Sequence, residues 1–187
     1  GPAVAQKRSM LRQILLAIAC IHSHKMLHCD LKAENVLVAD DGTPRICDFE
    51  MTHDLDAAVQ STTIVGGTRG FMAPEILSGA AKPSAASDIY AFGVIIINTI
   101  HVPEPDAYPL TDPALVTAPA LKDLVPRLLS PTPGARPNAA ELQAEPYFAS
   151  ERVDEWGRVE MPATSSMTCC EEMLVADPVA LGVPDMK

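Results

Sequence analysis

The sequence has few basic residues relative to its acidic ones, no Cys-x-x-Cys spacing and no hydrophobic run long enough for a membrane. It contains 14 Lys and Arg residues against 24 Asp and Glu residues, a formal net charge of −10 at pH 7. Because nucleic acids are bound largely through clustered basic residues, this balance argues against a nucleic-acid partner. The excess of acid is typical of a soluble protein, although it also suits basic substrate segments.

The five cysteines are scattered, apart from the adjacent pair Cys169-Cys170. An odd number of cysteines disfavours a complete disulfide framework. We therefore expect reduced thiols and a cytoplasmic location.

Two apolar runs imitate targeting or membrane segments. Ile14–Cys20 follows three basic residues, as in a secretory signal, but the run is short and continues into His24 without a break. Ile89–Ile100 is too short to span a bilayer and contains Asn98. We interpret both runs as core helices and expect no membrane partner.

With 187 residues and 48% hydrophobic content, the chain suffices for one core. Dense apolar positions predict helices, and short β-branched runs beside Gly and Asp predict a hairpin. The irregular, proline-rich stretch 102–119 predicts at best a short helix. The predicted helices cover 7–24, 89–100, 121–129 and 138–144, and the predicted strands cover 36–38 and 45–47 around a turn at 40–44.

A polar octet stands out between the first helix and the first strand. Residues 28–35 read HCDLKAEN and run directly into the strand Val36–Val38. A functional loop held by the strand that follows it has this pattern. The returning strand of the hairpin delivers Asp48, so two acids come side by side, which suits a divalent metal.

Further motifs follow the octet in a fixed order: Asp48-Phe49-Glu50, Ala73-Pro74-Glu75, Ser87–Gly93 (SDIYAFG) and Arg136-Pro137. Together with the octet they resemble the conserved motifs of eukaryotic protein kinases. The resemblance covers about residues 7–148 and corresponds to the larger, C-terminal lobe. It implies an α+β, mainly helical fold with short β-hairpins.

The resemblance also implies a domain organisation. Residues 1–148 would form a protein kinase C-lobe, and residues 149–187 a partly disordered C-terminal tail. No glycine-rich phosphate loop, strand lysine or partner glutamate helix precedes Lys7, and the sequence begins with Gly1-Pro2. We therefore expect a chain without its N-lobe, and we expect that lobe or a partner to supply the missing loop and lysine.

The kinase resemblance assigns roles to residues of the octet and to Asp48. Asp30 would be the base that orients the acceptor hydroxyl, and Lys32 would neutralise the transferring phosphate. Asn35 and Asp48 would bind Mg²⁺ through oxygen. Leu37 would lie beneath the adenine ring of ATP.

Other residues bear on substrate choice. Lys32 and Thr68, the latter within Gly67–Phe71, resemble the serine/threonine branch, in which the threonine contacts the base and the lysine. Glu34 would either bind an arginine of the substrate or be an ordinary surface glutamate. The implied function is a Ser/Thr protein kinase that uses ATP and Mg²⁺ on a protein substrate.

Two residues depart from the family pattern. Cys29 replaces an arginine that normally holds a phosphate on the activation segment, so we expect any activity to be independent of phosphorylation in 61–63 (Ser61, Thr62, Thr63). Glu50 replaces a glycine and restricts the backbone beside Asp48. Both departures keep open an alternative, in which a pseudokinase-like or truncated lobe acts as a non-catalytic binding scaffold.

The resemblance implies structural roles as well. Glu75 and Arg136 would form a buried ion pair that joins the activation segment to the last helices. Asp88 would accept hydrogen bonds from the backbone of the octet. His28 would stack on Phe49 as a core histidine and not act as a proton shuttle.

Overall fold

A computed structural model describes residues 2–55, 67–101 and 104–149. Its helices are α1 (Pro2–Ser23), α2 (Pro74–Leu77), α3 (Ala85–Ile100), α4 (Pro119–Lys122), α5 (Leu124–Leu128) and α6 (Ala139–Gln143). Its strands are β1 (Met26–Leu27), β2 (Val36–Val38), β3 (Pro44–Ile46) and β4 (His53–Asp54). Short 3-10 turns occupy Ala33–Asn35, Pro105–Ala107, Pro113–Leu115 and Pro133–Ala135. The prediction of a mainly helical fold with short hairpins is confirmed.

The most apolar helix, α3, forms the centre of the core. Ile89, Phe92 and Ile96 are fully buried, and the helix packs against α1 and α5. Full burial of side chains of this size stabilises a fold by roughly 1.5–3 kcal/mol each. The helix begins after Ser84, whose backbone N–H donates to Ser87 Oγ at 3.1 Å, so the two serines together cap the first turn.

Helix α1 starts earlier than predicted, at Pro2, and ends one residue earlier, at Ser23. None of its side chains between residues 7 and 22 is exposed, as the dense apolar pattern indicates. The helix terminates where Lys25 adopts a left-handed backbone with φ of +57°. Arg8 and Arg12 donate to the carbonyls of Tyr147 and Phe148, at 2.6 and 3.0 Å, and so fasten α1 to the chain beyond α6.

Two pairs of antiparallel strands, one of them a hairpin, flank the octet. In β2–β3 the register pairs Val36 with Ile46 and Val38 with Pro44. Gly42, with φ of +83°, makes the predicted turn. Strand β3 lies one residue earlier than predicted. Strands β1 and β4 pair residues 26–27 with 53–54, and two-residue strands are too short to carry a sequence period.

The single closing helix predicted over 121–129 is wrong, because the structure has two short helices, α4 and α5. Pro126 has no N–H to donate to the carbonyl of Lys122, and its ring clashes with that carbonyl, so the helix breaks at Asp123. The helix predicted over 138–144 is present as α6. Its cap is Asn138, whose Oδ1 accepts from the backbone N–H of Glu141 at 2.9 Å.

Among the helices that the structure describes, none is both long and apolar enough to cross a bilayer. Cys29 and Cys47 are free thiols, whereas Cys20 is disulfide-bonded, so the expectation of five reduced cysteines is wrong for Cys20. Ser61, Thr62, Thr63 and the tail expected over 149–187, apart from residue 149, lie outside the described residues. The domain boundary at 148 stays a prediction.

Candidate active site

A buried carboxylate, that of Asp88, holds the backbone of the octet (residues 28–35) in place. Asp88, only 2% exposed, accepts hydrogen bonds from the backbone N–H groups of His28 and Cys29, both at 3.0 Å. This confirms its predicted role. His22 Nε2 lies 3.0 Å from the same carboxylate, a third contact that the sequence gave no signal to predict. Cys29 has a left-handed φ of +67°, a strained conformation that the hydrogen bond to Asp88 helps to hold.

His28 links the octet to the residue before Asp48. Its Nδ1 accepts from the backbone N–H of Asp30 at 3.3 Å, which places the ring proton on Nε2. Nε2 donates to the carbonyl of Cys47 at 3.1 Å, and the fully buried ring lies 5.1 Å from the ring of Phe49. With both nitrogens engaged, His28 is a core histidine, as predicted.

Three side chains, those of Lys32, Thr68 and Asn35, converge at Asp30. Its Oδ2 accepts from Lys32 Nζ at 2.7 Å, and its Oδ1 accepts from the backbone N–H and the hydroxyl of Thr68 at 2.8 and 3.0 Å. The Thr68 hydroxyl accepts in turn from Lys32 at 3.1 Å. Asn35 Nδ2 donates to the carbonyl of Asp30 at 2.9 Å. The predicted contact of Thr68 with both the acid and the lysine is therefore confirmed.

The hydrogen bonds decide the charge state of this cluster. Partial burial by itself raises the pKa of Asp30, but the hydrogen bonds from Lys32 and Thr68 outweigh it and hold the pKa below its ordinary value. The hydrogen bond to Asp30 is also the main reason that the pKa of Lys32 is raised. At neutral pH the site therefore holds an anion beside a cation.

Asp48 is exposed and lies near enough to Lys32 for its charge to act on that residue. It lies two residues after the end of β3 and has a left-handed φ of +65°. Its charge contributes to the raised pKa of Lys32. The amide oxygen of Asn35 and the carboxylate of Asp48 are hard oxygen donors of the kind Mg²⁺ takes. In the described ranges no group of three His, Cys, Asp or Glu side chains forms a metal cage by itself. A Mg²⁺ ion held here would take further oxygens from a bound phosphate or from water.

Glu34 and Leu37 are not among the residues that bond to Asp30. Glu34 is exposed, and its Oε2 accepts from the hydroxyl of Tyr108 at 3.0 Å. Leu37 is partly exposed on β2, opposite Arg45. Tyr108 was missed from the sequence because it lies 74 residues after Glu34, in the proline-rich stretch.

Cys29 stands beside the site as a neutral thiol. Cys29 lines a small cavity together with Asp30, Thr68 and Asp88. Burial, with Asp88 and then Asp30 adding to it, raises the pKa of the thiol to about 12. No positive charge is therefore present where the family pattern has arginine.

The predicted ion pair between Glu75 and Arg136 is confirmed. The guanidinium NH1 and NH2 donate to Oε1 and Oε2 of Glu75 at 2.6 and 2.7 Å, and the arginine side chain is fully buried. The same guanidinium donates to the carbonyls of Ala86 and Ser130, both at 2.9 Å, and lies over the ring of Tyr90. Nearly every donor of the arginine is thus satisfied.

The protein kinase domain family matches residues 3–107, more than half of the chain. A bifunctional serine/threonine-protein kinase/NEDD4-like E3 ubiquitin-protein ligase of Dictyostelium discoideum is 29% identical over 90% of this chain and 11% of its own length. CBL-interacting protein kinase 29 of rice is 31% identical over 77% of this chain and 35% of its own length. Cyclin-dependent kinase-like 2 of the rat is 39% identical over 48% of this chain and 18% of its own length.

The chain thus spans from about a tenth to about a third of the length of these curated relatives. The family match includes the whole octet, Asp48, Thr68 and α3, which are the elements that build the cluster around Asp30. The chain belongs to the eukaryotic-type protein kinase family.

Proposed function

We propose that this chain is the catalytic lobe of a Ser/Thr protein kinase, which transfers the γ-phosphoryl group of ATP to a serine or threonine hydroxyl of a protein. The observation that carries the proposal is the meeting of Asp30 and Lys32 at 2.7 Å, with Thr68 bonded to both. Their side chains remain 10% and 20% exposed, so the pair is open to a reactant.

The two charges suit the two halves of the reaction. Asp30 orients the acceptor hydroxyl and takes its proton as the new O–P bond forms and the bond from the γ-phosphorus to the β,γ-bridging oxygen breaks. Because its pKa is lowered, Asp30 is a weak base, which serves a loose transition state in which the proton moves late. Lys32 neutralises charge on the transferred oxygens.

Asn35 and Asp48 would hold Mg²⁺, which supplies neutralisation of the ATP phosphates. Leu37 would pack beneath the adenine ring. The glycine-rich loop and its lysine would come from an N-lobe or partner outside residues 1–187. Glu34 would face basic residues of the substrate. We place the reaction in the cytoplasm, where ATP and Mg²⁺ are available.

The choice of serine and threonine over tyrosine rests on Lys32 and Thr68 and on the name of one relative, the bifunctional serine/threonine-protein kinase/NEDD4-like E3 ubiquitin-protein ligase of Dictyostelium discoideum. The neutral Cys29 supports activity that does not need a phosphate on Ser61, Thr62 or Thr63. Alanine at all three positions should leave transfer intact, and its abolition in a folded protein would contradict this part of the proposal.

The test has two stages. Thermal shift with ATP and Mg²⁺ should show binding by the chain, weakened in Asp48→Asn and retained in Asp30→Asn. Transfer of labelled phosphate to serine, threonine and tyrosine peptides is then measured with and without a protein kinase N-lobe supplied in trans. Transfer to serine or threonine that is lost in Asp30→Asn supports the proposal.

Cys29 and Glu50 favour a second candidate, the non-catalytic scaffold. The same experiment distinguishes this scaffold from a catalytic lobe. Binding of Mg²⁺ and ATP without transfer that depends on Asp30, even with the N-lobe present, would overturn the catalytic proposal and favour the scaffold.

A further inference from the structure

Residues 104–112, here called the strap, fold back over the candidate site after α3. Asn98 of α3 fixes the end of the strap by two hydrogen bonds to the backbone of Leu110. Its Nδ2 donates to the carbonyl at 2.9 Å, and its Oδ1 accepts from the N–H at 2.8 Å. The amide side chain thus pairs with the strap as a neighbouring backbone would.

The strap contacts two separate parts of the site. The hydroxyl of Tyr108 donates to Glu34 at 3.0 Å, and its ring meets the ring of Phe71 edge-on at 5.9 Å. Pro109 lies directly against Gly70, where an added Cβ would be 2.3 Å from the proline Cγ. Gly70 is therefore required by the close approach of the strap.

Both contact points adjoin the groups that hold Asp30. Gly70 comes two residues after Thr68, which gives two hydrogen bonds to Asp30 Oδ1. Glu34 immediately precedes Asn35, which donates to the Asp30 carbonyl. The strap therefore contacts the chain within two residues of both Thr68 and Asn35, the two residues that hold Asp30 in these contacts.

The segment 67–73, here called the Thr68 arm, has no regular secondary structure. Residues 67–73 form a turn, in which the N–H of Phe71 donates to the carbonyl of Thr68 at 2.8 Å, and they belong to no helix or strand. A turn of this kind keeps its place through tertiary contacts. Two such contacts are the buried side chain of Phe71 and the strap packed on Gly70.

We propose that the strap holds Thr68 against Asp30, with Tyr108 and Pro109 as positioning residues that set where the acceptor hydroxyl meets the acid. The consequence for the hydroxyl rests on the proposed kinase function. The bracing of Thr68 does not, and it can be measured in the chain without any transfer assay.

The first experiment uses Gly70→Ala in the 187-residue chain. The added Cβ cannot coexist with Pro109, so the strap or the Thr68 arm must move. We expect the Thr68 amide, which donates to Asp30, to exchange its hydrogen at least tenfold faster.

A second-site variant makes the test specific. Pro109→Ala removes the Cγ and Cδ atoms that clash, so Gly70→Ala/Pro109→Ala should recover the slow Thr68 exchange. Tyr108→Phe keeps the ring but removes the hydroxyl, and we expect a few-fold faster exchange at Thr68 and in the strap. Tyr147→Phe, remote from the site, is the matched control and should change neither.

Unchanged Thr68 exchange in Gly70→Ala would overturn the proposal, as would failure of the double variant to recover the slow exchange. Should Gly70→Ala not fold, Tyr108→Phe decides alone, and Thr68 exchange equal to that of Tyr147→Phe would overturn it. Absence of phosphate transfer with these exchange results intact would count against the proposed function only.

Discussion

Two carboxylate–cation pairs in this chain show how the same chemistry serves different ends. Glu75 and Arg136 meet through two parallel hydrogen bonds, and backbone carbonyls take two more donors of the buried arginine. Asp30 and Lys32 share one hydrogen bond near the surface. The first pair is closed and holds the fold together, whereas the second keeps a side open on which a reactant can bind.

The largest effect on stability is expected when the cation of the buried pair, Arg136, is removed. Arg136→Met leaves Glu75 buried without its cation, so we expect a loss of roughly 3–5 kcal/mol in the free energy of unfolding. Denaturation by urea measures it. The double variant Glu75→Gln/Arg136→Met should lose less, because no charge is left unpaired. A loss below about 1 kcal/mol in the single variant would show that the pair does not hold the fold.

Asp30→Asn breaks the open pair. We expect phosphate transfer to fall by about 10²–10⁴-fold, the range for loss of a positioned base. The urea midpoint should change much less than in Arg136→Met, since Asp30 is part-buried and an amide can still accept from Thr68. Transfer within about twofold of the unchanged chain would exclude Asp30 as the base.

Lys32→Met tests the open pair through the pH dependence of the stability of the fold. Asp30 has a lowered pKa in the folded chain, so its ionisation stabilises the fold above the pKa of the unfolded chain, and this stability is lost as pH falls through the folded pKa. Without Lys32 the pKa of Asp30 rises and the loss begins at a higher pH. Thermal melts between about pH 2 and pH 6 measure the shift, with the exposed Lys122→Met as control. If the melting temperatures of the two variants fell with decreasing pH in the same way, the prediction would be contradicted.

The smallest effect is expected at a third pair, which lies on the surface. Arg127 and Glu145 are 2.6 Å apart, but their side chains are 51% and 25% exposed. Arg127→Ala should cost about 0.2–1 kcal/mol in unfolding free energy, and the cost should shrink as salt is added. A cost as large as that of Arg136→Met would mean that burial does not set the strength of these pairs.

Local patterns predicted the elements whose causes are local. The apolar density of α1 and α3, the turn at Gly42 and a helix close to 138–144 were all readable in the sequence, and the structure contains them. The helix expected over 121–129 failed on a local cause that was overlooked, Pro126. The pairing of β1 with β4 had no local signal, because strands of two residues have no period.

The sequence by itself determined the residue types of the candidate site and their order: an acid, a lysine and an amide within one octet, and a second acid after the hairpin. Motif spacing carries that information because neighbouring residues share one loop. Only the tertiary structure decided which distant groups surround them. His22 on Asp88 and Tyr108 on Glu34 lie 66 and 74 residues from their partners. Such contacts depend on how the helices pack around α3, and no local pattern encodes that packing.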